Sequence, residues 1–351
     1  MTSRKVKVLV VDDSMVFREQ IARLIGRDSG IEVVGTAADA EDAKAKIQTL
    51  RPDVITLDVQ MPKISGIDFL KYLMQKNPLP VVVVSSVSSN VFDALNAGAV
   101  DFVTKPKSGE LEIFSKELIV KIKIASIAKL KTALNAPNYT SPSAAVRENI
   151  PAKTPVRFSP ILAKGKVVAI GASTGGTEAT LAVISHLPKD MPGVVIVQHM
   201  PPGFTRMYAE RADRLCKMSV KEASDGDRVE DGRILIAPGG FQMTLKKDMS
   251  GYYVSVKPGE KVSGHMPSVN VLFNSVAETA GRMAVGVILT GMGQDGAEGL
   301  LKMHKAGART IGQDEKSCVV YGMPRVAFNI GAVDVQADIN DISDTILKFL
   351  K

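Results

Sequence analysis

Short β-branched runs alternate with amphipathic stretches twice along this chain, and a Pro-rich segment separates the two series. In the first series, strand patterns fall at residues 6–11, 31–35, 54–57, 80–85 and 101–104. Helical spacing lies between them and ends in a long stretch at 110–132. Five strand–helix units in succession imply a parallel sheet covered on both faces. Residues 135–164 then break both periods. Pro137, Pro142, Pro151, Pro155 and Pro160 stand there among Ser, Thr, Ala and Asn, which predicts a semi-extended linker. A structureless loop of that length is out of place inside one compact domain, so a domain boundary is expected there. The second series has strands at 167–170, 194–198, 234–237, 284–289 and 309–311. Residues 242–245 and 252–256, joined across Asp248-Met249-Ser250-Gly251, read as a hairpin added to an otherwise parallel sheet.

The length, 351 residues, suffices for two or three domains that each bury a core. No apolar run approaches the roughly 20 residues that span a bilayer. The basic N-terminus leads into a short apolar run that ends in two aspartates, with no small-residue cleavage site, so an opening strand is expected rather than a signal peptide. Cys216 and Cys318 make neither a disulfide framework nor a metal cluster, which suits a reducing cytoplasm. The net charge is +7, from 44 basic and 37 acidic residues. Those charges are spread along the chain rather than gathered in a stripe, and tryptophan is absent. Nucleic acid is therefore not an expected partner.

Three motifs of the first series end on strands. Asp12-Asp13-Ser14 follows the first, Asp58 the third, and Thr104-Lys105-Pro106 the fifth. Ligands of open α/β sheets bind beyond the carboxyl ends of the strands, so the three converge. Carboxylates gathered there repel one another unless a hard divalent cation sits among them, and Mg²⁺ suits Asp12, Asp13 and Asp58. Lys105 adds a cation for a phosphoryl oxygen, and Ser85, closing the fourth strand, adds a hydroxyl. Asp58 then has what a nucleophile toward a phosphodonor needs. Helix capping by Asp12 and Asp13 is the simpler reading for that pair alone, but it leaves the rest of the spaced set unexplained.

In the second series, the strand at 167–170 runs into Gly171-Ala172-Ser173-Thr174-Gly175-Gly176 and then a helix-like stretch. Strand, small residues, serine and helix form the layout of a nucleophile elbow. The motif lacks the spacing of a dinucleotide fingerprint and the Lys-Ser/Thr ending of a phosphate loop. Of the four histidines, His199 follows the strand at 194–198 and so shares the sheet edge with Ser173. His186 and His304 fall in helical stretches, and His265, in a loop, is the weaker competitor. Asp295, in the glycine-rich turn after the strand at 284–289, is the expected carboxylate partner, although capping of the next helix is a rival role. Backbone N–H groups around Met292 are candidate oxyanion donors.

VLVVDDS, ITLDVQMPKISG and DFVTKP resemble the response-regulator receiver domain throughout residues 5–125. That resemblance implies Asp58 as phosphoacceptor, Asp12 and Asp13 as magnesium-site acids, Ser85 as switch hydroxyl and Lys105 as phosphate-sensing lysine. The segment 86–94 is shorter than in most receivers. GASTGG, QHMPPGFT, APGG, LTGMGQDGAEGL and GMPRVAFNIGAVD together resemble the chemotaxis protein-glutamate methylesterase family, CheB, across residues 165–350. This second resemblance implies Ser173, His199 and Asp295 as a triad, with Thr174 and Met292 near the oxyanion. It implies methylated glutamates of chemoreceptors as substrate, with glutamine deamidation, and the chemotaxis histidine kinase as phosphodonor. Met266 departs from the family pattern, which has arginine there.

The expected fold is α/β in two parts. A five-stranded parallel, flavodoxin-like receiver (1–134) precedes a linker (135–164) and a doubly wound, mostly parallel hydrolytic domain with an added antiparallel hairpin (165–351). The expected protein is a cytoplasmic monomer without membrane insertion, using Mg²⁺ in the receiver and no cofactor at the esterase step. A DNA-binding output would need a short helical module with a helix-turn-helix, and residues 165–350 are strand-rich and glycine-rich instead.

Overall fold

The computed structural model describes residues 4–86, 90–107, 109–130 and 159–351. The first sheet comprises β1 (Val6–Val11), β2 (Ile31–Ala37), β3 (Val54–Asp58), β4 (Val81–Ser85) and β5 (Asp101–Thr104). Their order is β2-β1-β3-β4-β5, with every pair parallel. The strands are followed in turn by α1 (Met15–Ile25), α2 (Ala40–Leu50), α3 (Gly66–Lys76), α4 (Val91–Asn96) and α5 (Leu111–Ala125). Side chains alternate faces along a strand. Leu9 and Val11 accordingly join one apolar cluster while Val8 and Val10 join the other. Ser14, Asp39 and Ser65 cap α1, α2 and α3 by accepting backbone N–H bonds, which satisfies donors that a helix start leaves open. The long helical stretch stops at Ala125, short of the expected end.

Of the segment 135–164, the part up to residue 158 lies outside the described residues. Within the remainder, α6 (Pro160–Ala163) is a single helical turn where a semi-extended chain was expected.

The second sheet has seven strands, all parallel to their neighbours. They are β6 (Val167–Ala172), β7 (Val194–Gln198), β8 (Ser219–Glu222), β9 (Arg233–Ile236), β12 (Ala284–Ile288), β13 (Arg309–Gln313) and β14 (Val335–Ala337). The order is β14-β13-β12-β6-β7-β9-β8. Neither edge strand was expected from the sequence: β8 and β14 are short and only part-buried. The hairpin of β10 (Gln242–Asp248) and β11 (Gly251–Lys257) is antiparallel and makes its own two-stranded sheet. It does not extend the parallel ladder. Leu245 N–H donates to Ser275 Oγ, and Thr279 Oγ1 donates to Leu245 O. These bonds dock β10 on the helix α9 (Val269–Ala280). The helices α7 (Gly176–Ile184), α8 (Phe204–Leu215), α10 (Ala297–Lys305), α11 (Met323–Asn329) and α12 (Ile342–Phe349) complete this part. Among the described residues, no helix is long and apolar enough to cross a membrane.

Candidate active site

β6 opens its sheet, and the chain lays β7 on one side of it and, much later, β12 on the other. Sheets of this kind bind ligands where the strand order reverses. Hydrogen bonds carry the pairing one residue past the strand ends at that point. Ser173 N–H donates to Thr290 O at 3.0 Å, and His199 N–H donates to Ala172 O at 3.1 Å. Ser173, His199 and the loop from Thr290 therefore leave the sheet side by side. Gln198, buried at the end of β7, steadies the turn from below, with Nε2 donating to Ser173 O at 2.9 Å. Gly175 has φ +74°, a backbone state that glycine enters without steric cost. A Cβ on Gly291 would lie 2.6 Å from Ser173 Cβ, so glycine lets the 290–295 loop close on the serine.

His199 Nε2 lies 2.8 Å from Asp295 Oδ2, with only 7% and 1% of the two side chains exposed. Asp295 does not cap the helix that follows it, because Gly296 holds the cap position of α10. Its carboxylate sits instead on the N-terminus of α9. Oδ1 accepts Ser268 Oγ–H at 2.8 Å and Asn270 N–H at 3.1 Å, and Oδ2 accepts Val269 N–H at 2.7 Å. Helix starts favour negative charge for this reason. Burial opposes ionisation of Asp295, but the bonds from His199, Ser268 and Val269 outweigh it and hold the carboxyl below the usual carboxylate range. An ionised Asp295 assigns the imidazole proton to Nε2 and leaves Nδ1 as the acceptor. Nδ1 is buried and has no hydrogen-bond partner among the described residues.

The other histidines separate clearly. His186 lies in the turn after α7 with Nδ1 2.8 Å from Ala182 O, and His304 faces Asp334 from α10. His265 stands against the candidate base itself: its ring is stacked on His199 with centroids 3.7 Å apart and planes inclined by 8°. Met266, next to it, is part-buried, and its carbonyl accepts Gly240 N–H at 3.2 Å.

Thr174 is buried, and Met292 is exposed at the rim. Thr174 Oγ1–H donates to Asp101 Oδ2 at 2.8 Å. That bond joins the two sheets, because Asp101 is the first residue of β5. Lys121 of α5 donates to Asp101 Oδ1 at 2.8 Å and to Phe102 O at 2.6 Å. The Phe102 ring lies 4.7 Å from that of Phe204, and Phe92 lies 5.9 Å from Tyr208. Lys129 N–H donates to Val319 O at 2.8 Å. The β5 edge of the first sheet thus rests on the loop that carries Ser173.

The carboxylates of Asp12, Asp13 and Asp58 have oxygens within 4.8 Å of one another. Lys105 Nζ is 2.8 Å from Asp12 Oδ2 and 2.6 Å from Asp58 Oδ2. Burial pushes the Asp12 carboxyl up despite Lys105, and the Asp58 charge adds to the rise. Burial works the other way on Lys105, but its two carboxylate partners prevail and raise it. One ammonium between two buried carboxylates leaves the cluster short of positive charge, and an all-oxygen donor set of this kind fits a hard divalent cation. Ser85 is buried at the end of β4, opposite Thr104, and its carbonyl accepts Lys105 N–H at 3.0 Å. Of the expected short segment 86–94, residues 87–89 lie outside the described residues. The helix beyond them, α4, has six residues.

Residues 8–113 match the response regulator receiver domain, and residues 168–346 match the CheB methylesterase family. A relative from Syntrophomonas wolfei, named protein-glutamate methylesterase/protein-glutamine glutaminase 2, is 54% identical over 100% of this chain and 99% of its own. The chain belongs to the CheB methylesterase family. A relative from Salmonella typhimurium, named protein-glutamate methylesterase/protein-glutamine glutaminase, is 46% identical over 98% of this chain and 96% of its own. The CheB methylesterase catalytic domain of Thermotoga maritima, a crystal structure, is 38% identical with a TM-score of 0.52, covering 53% of this chain and 98% of that one. The seven-stranded sheet with its separate hairpin is thus a CheB catalytic fold, and the five-stranded sheet belongs to a receiver.

Proposed function

We propose that this chain is a phosphorylation-activated serine esterase that hydrolyses glutamate methyl esters on chemoreceptors and deamidates selected glutamines. Its three parts are a receiver (1–134), a linker (135–164) and a catalytic domain (165–351). The observation that carries the reading is the buried His199–Asp295 pair, 2.8 Å apart, at the strand end beside Ser173. Ser173 Oγ attacks the ester carbonyl while His199 Nδ1 accepts its proton. Backbone N–H groups near Thr174 and Met292 hold the oxyanion, an effect worth about 10²–10³-fold per donor in related chemistry. The C–O bond to the methoxy group breaks, His199 returns the proton, and methanol leaves. Water, deprotonated by His199, then attacks the acyl-serine and releases the glutamate. With a glutamine side chain the leaving group is ammonia.

The gate lies in β5. Asp58 Oδ attacks the phosphorus of the histidine kinase's phosphohistidine, the P–N bond breaks and the kinase histidine leaves, with Asp12, Asp13 and Asp58 as the residues that would hold the cation. When bound there, Mg²⁺ neutralises the charge that gathers on the phosphoryl oxygens. Lys105 and Ser85 hold those oxygens. Lys105 is four residues from Asp101 on the same stretch of chain, so its move toward the phosphate disturbs the Asp101–Thr174 bond and shifts the population toward an open site. The protein acts as a cytoplasmic monomer, without binding nucleic acid or inserting into a membrane.

Methanol release from methylated receptor membranes, measured with and without a small phosphodonor plus Mg²⁺, tests this reading. Release is expected to rise with the donor, and the rise is expected to vanish in Asp58→Asn. No release from the folded chain in either condition would overturn it.

A further inference from the structure

We infer that His265 is a positioning residue of the esterase, a flat wall that holds the His199 ring in the plane where Nδ1 addresses Ser173. This role presupposes the esterase reading above and adds a part to it.

The hydrogen bond from Nε2 to Asp295 fixes one ring atom of His199. It leaves the ring free to swing about that anchor, and a swing carries Nδ1 out of line with the serine. A second flat ring at 3.7 Å with an 8° tilt removes this freedom. Hydrogen bonding at the far edge of the ring supplies no such restraint, since Nδ1 is buried without a hydrogen-bond partner among the described residues.

The wall is itself braced. His265 N–H donates to Val262 O at 2.9 Å, and Val262 N–H donates back to His265 O at 3.0 Å. Gln242 Nε2 donates to Glu260 O at 2.9 Å and to His265 O at 3.3 Å, while its Oε1 accepts Ser268 N–H at 2.9 Å. Ser268 then reaches Asp295. The loop from Glu260 to Ser268 therefore brings up the stacking ring at one point and binds the orienting carboxylate at another.

A wall of this kind must stay uncharged while His199 gains a proton. Burial comes first in pushing the His265 imidazole down to about 4, followed by the charge of His199, with Lys261 and Lys121 adding to the effect and Asp295 opposing it. His265 is therefore uncharged at neutral pH and adds no cation of its own against the imidazolium that forms on His199.

The test uses the full chain, activated by phosphodonor and Mg²⁺, with methanol release from methylated membranes followed. In His265→Ala, kcat is expected to fall by roughly 10–100-fold, the size of effect that loss of alignment brings. KM is expected to stay within about twofold of the unaltered chain, because substrate binding is untouched. His265→Phe, which keeps a flat ring, should restore kcat to within about fivefold. If His265→Ala fails to unfold cooperatively, His265→Gln, which keeps bulk without a ring, takes its place. Unchanged kcat in the ringless variant would overturn the inference, as would a fall in the Phe variant equal to that in Ala. An unaltered chain that releases no methanol would instead remove the esterase reading itself.

Discussion

Replacing Ser173 by alanine is expected to cut methanol release by roughly 10⁵–10⁶-fold, the scale seen when a hydrolase loses its serine nucleophile. The loss should appear in kcat, because no acyl intermediate forms without the hydroxyl. Ser173 is half-buried, and the fixed features of its turn are backbone contacts: N–H to Thr290, C=O to Gln198 and Gly176. All three survive the substitution, so the midpoint of urea unfolding should scarcely move. Methanol release within about tenfold of the unaltered chain would exclude Ser173 as the nucleophile.

Asp295→Asn is expected to be the next most damaging change, costing about 10³–10⁴-fold in kcat. The carboxylate accepts from His199, Ser268, Val269 and Asn270 at once. An amide offers one oxygen to these four donors and turns an NH₂ toward some of them. If the NH₂ faces His199, the imidazole proton moves to Nδ1 and the acceptor for Ser173 is gone. If it faces α9, buried N–H groups lose their partner, at about 1–3 kcal/mol of stability. Acid titration distinguishes this site from a surface carboxylate. The folded-state carboxyl of Asp295 is held below its ordinary range. Its contribution to stability is thus present above the ordinary carboxylate range and is lost as pH falls through the lowered folded value. The stability gap between the unaltered chain and Asp295→Asn should accordingly narrow in acid. A gap that widened in acid would contradict the assigned charge state.

Ser173, His199 and Asp295 were legible in the sequence for one physical reason. Each follows a buried apolar strand, and parallel strands deliver their carboxyl ends to one edge. The acidic pocket was legible in the same way, through Asp12, Asp58 and Lys105. Contacts that join distant segments carry no such local sign. Asp295 was the expected carboxylate partner with capping of its own helix as the rival role, and nothing local showed that it also serves α9, whose first residues lie about 26 positions earlier. His265 sits in a loop without periodicity, and only Gln242, 23 residues away, shows why that loop is held against His199. Asp101 reads as an unremarked strand residue until Thr174, 73 residues on, is seen to donate to it. The edge strands β8 and β14 were missed because three or four mixed-polarity residues give too few periods to register. The hairpin was legible from its turn, but not its independence from the main sheet, which depends on Ser275 and Thr279 of α9.

The central claim is one nucleophile behind one gate: Ser173, covered through β5 and released by phosphate on Asp58. Its most direct measurement is the rate at which a fluorophosphonate labels the full chain, with the labelled residue located by mass spectrometry. Labelling is expected on Ser173, faster with phosphodonor and Mg²⁺ than without, and no faster in Asp58→Asn. Label on another residue, or a Ser173 rate indifferent to the donor, would contradict the account.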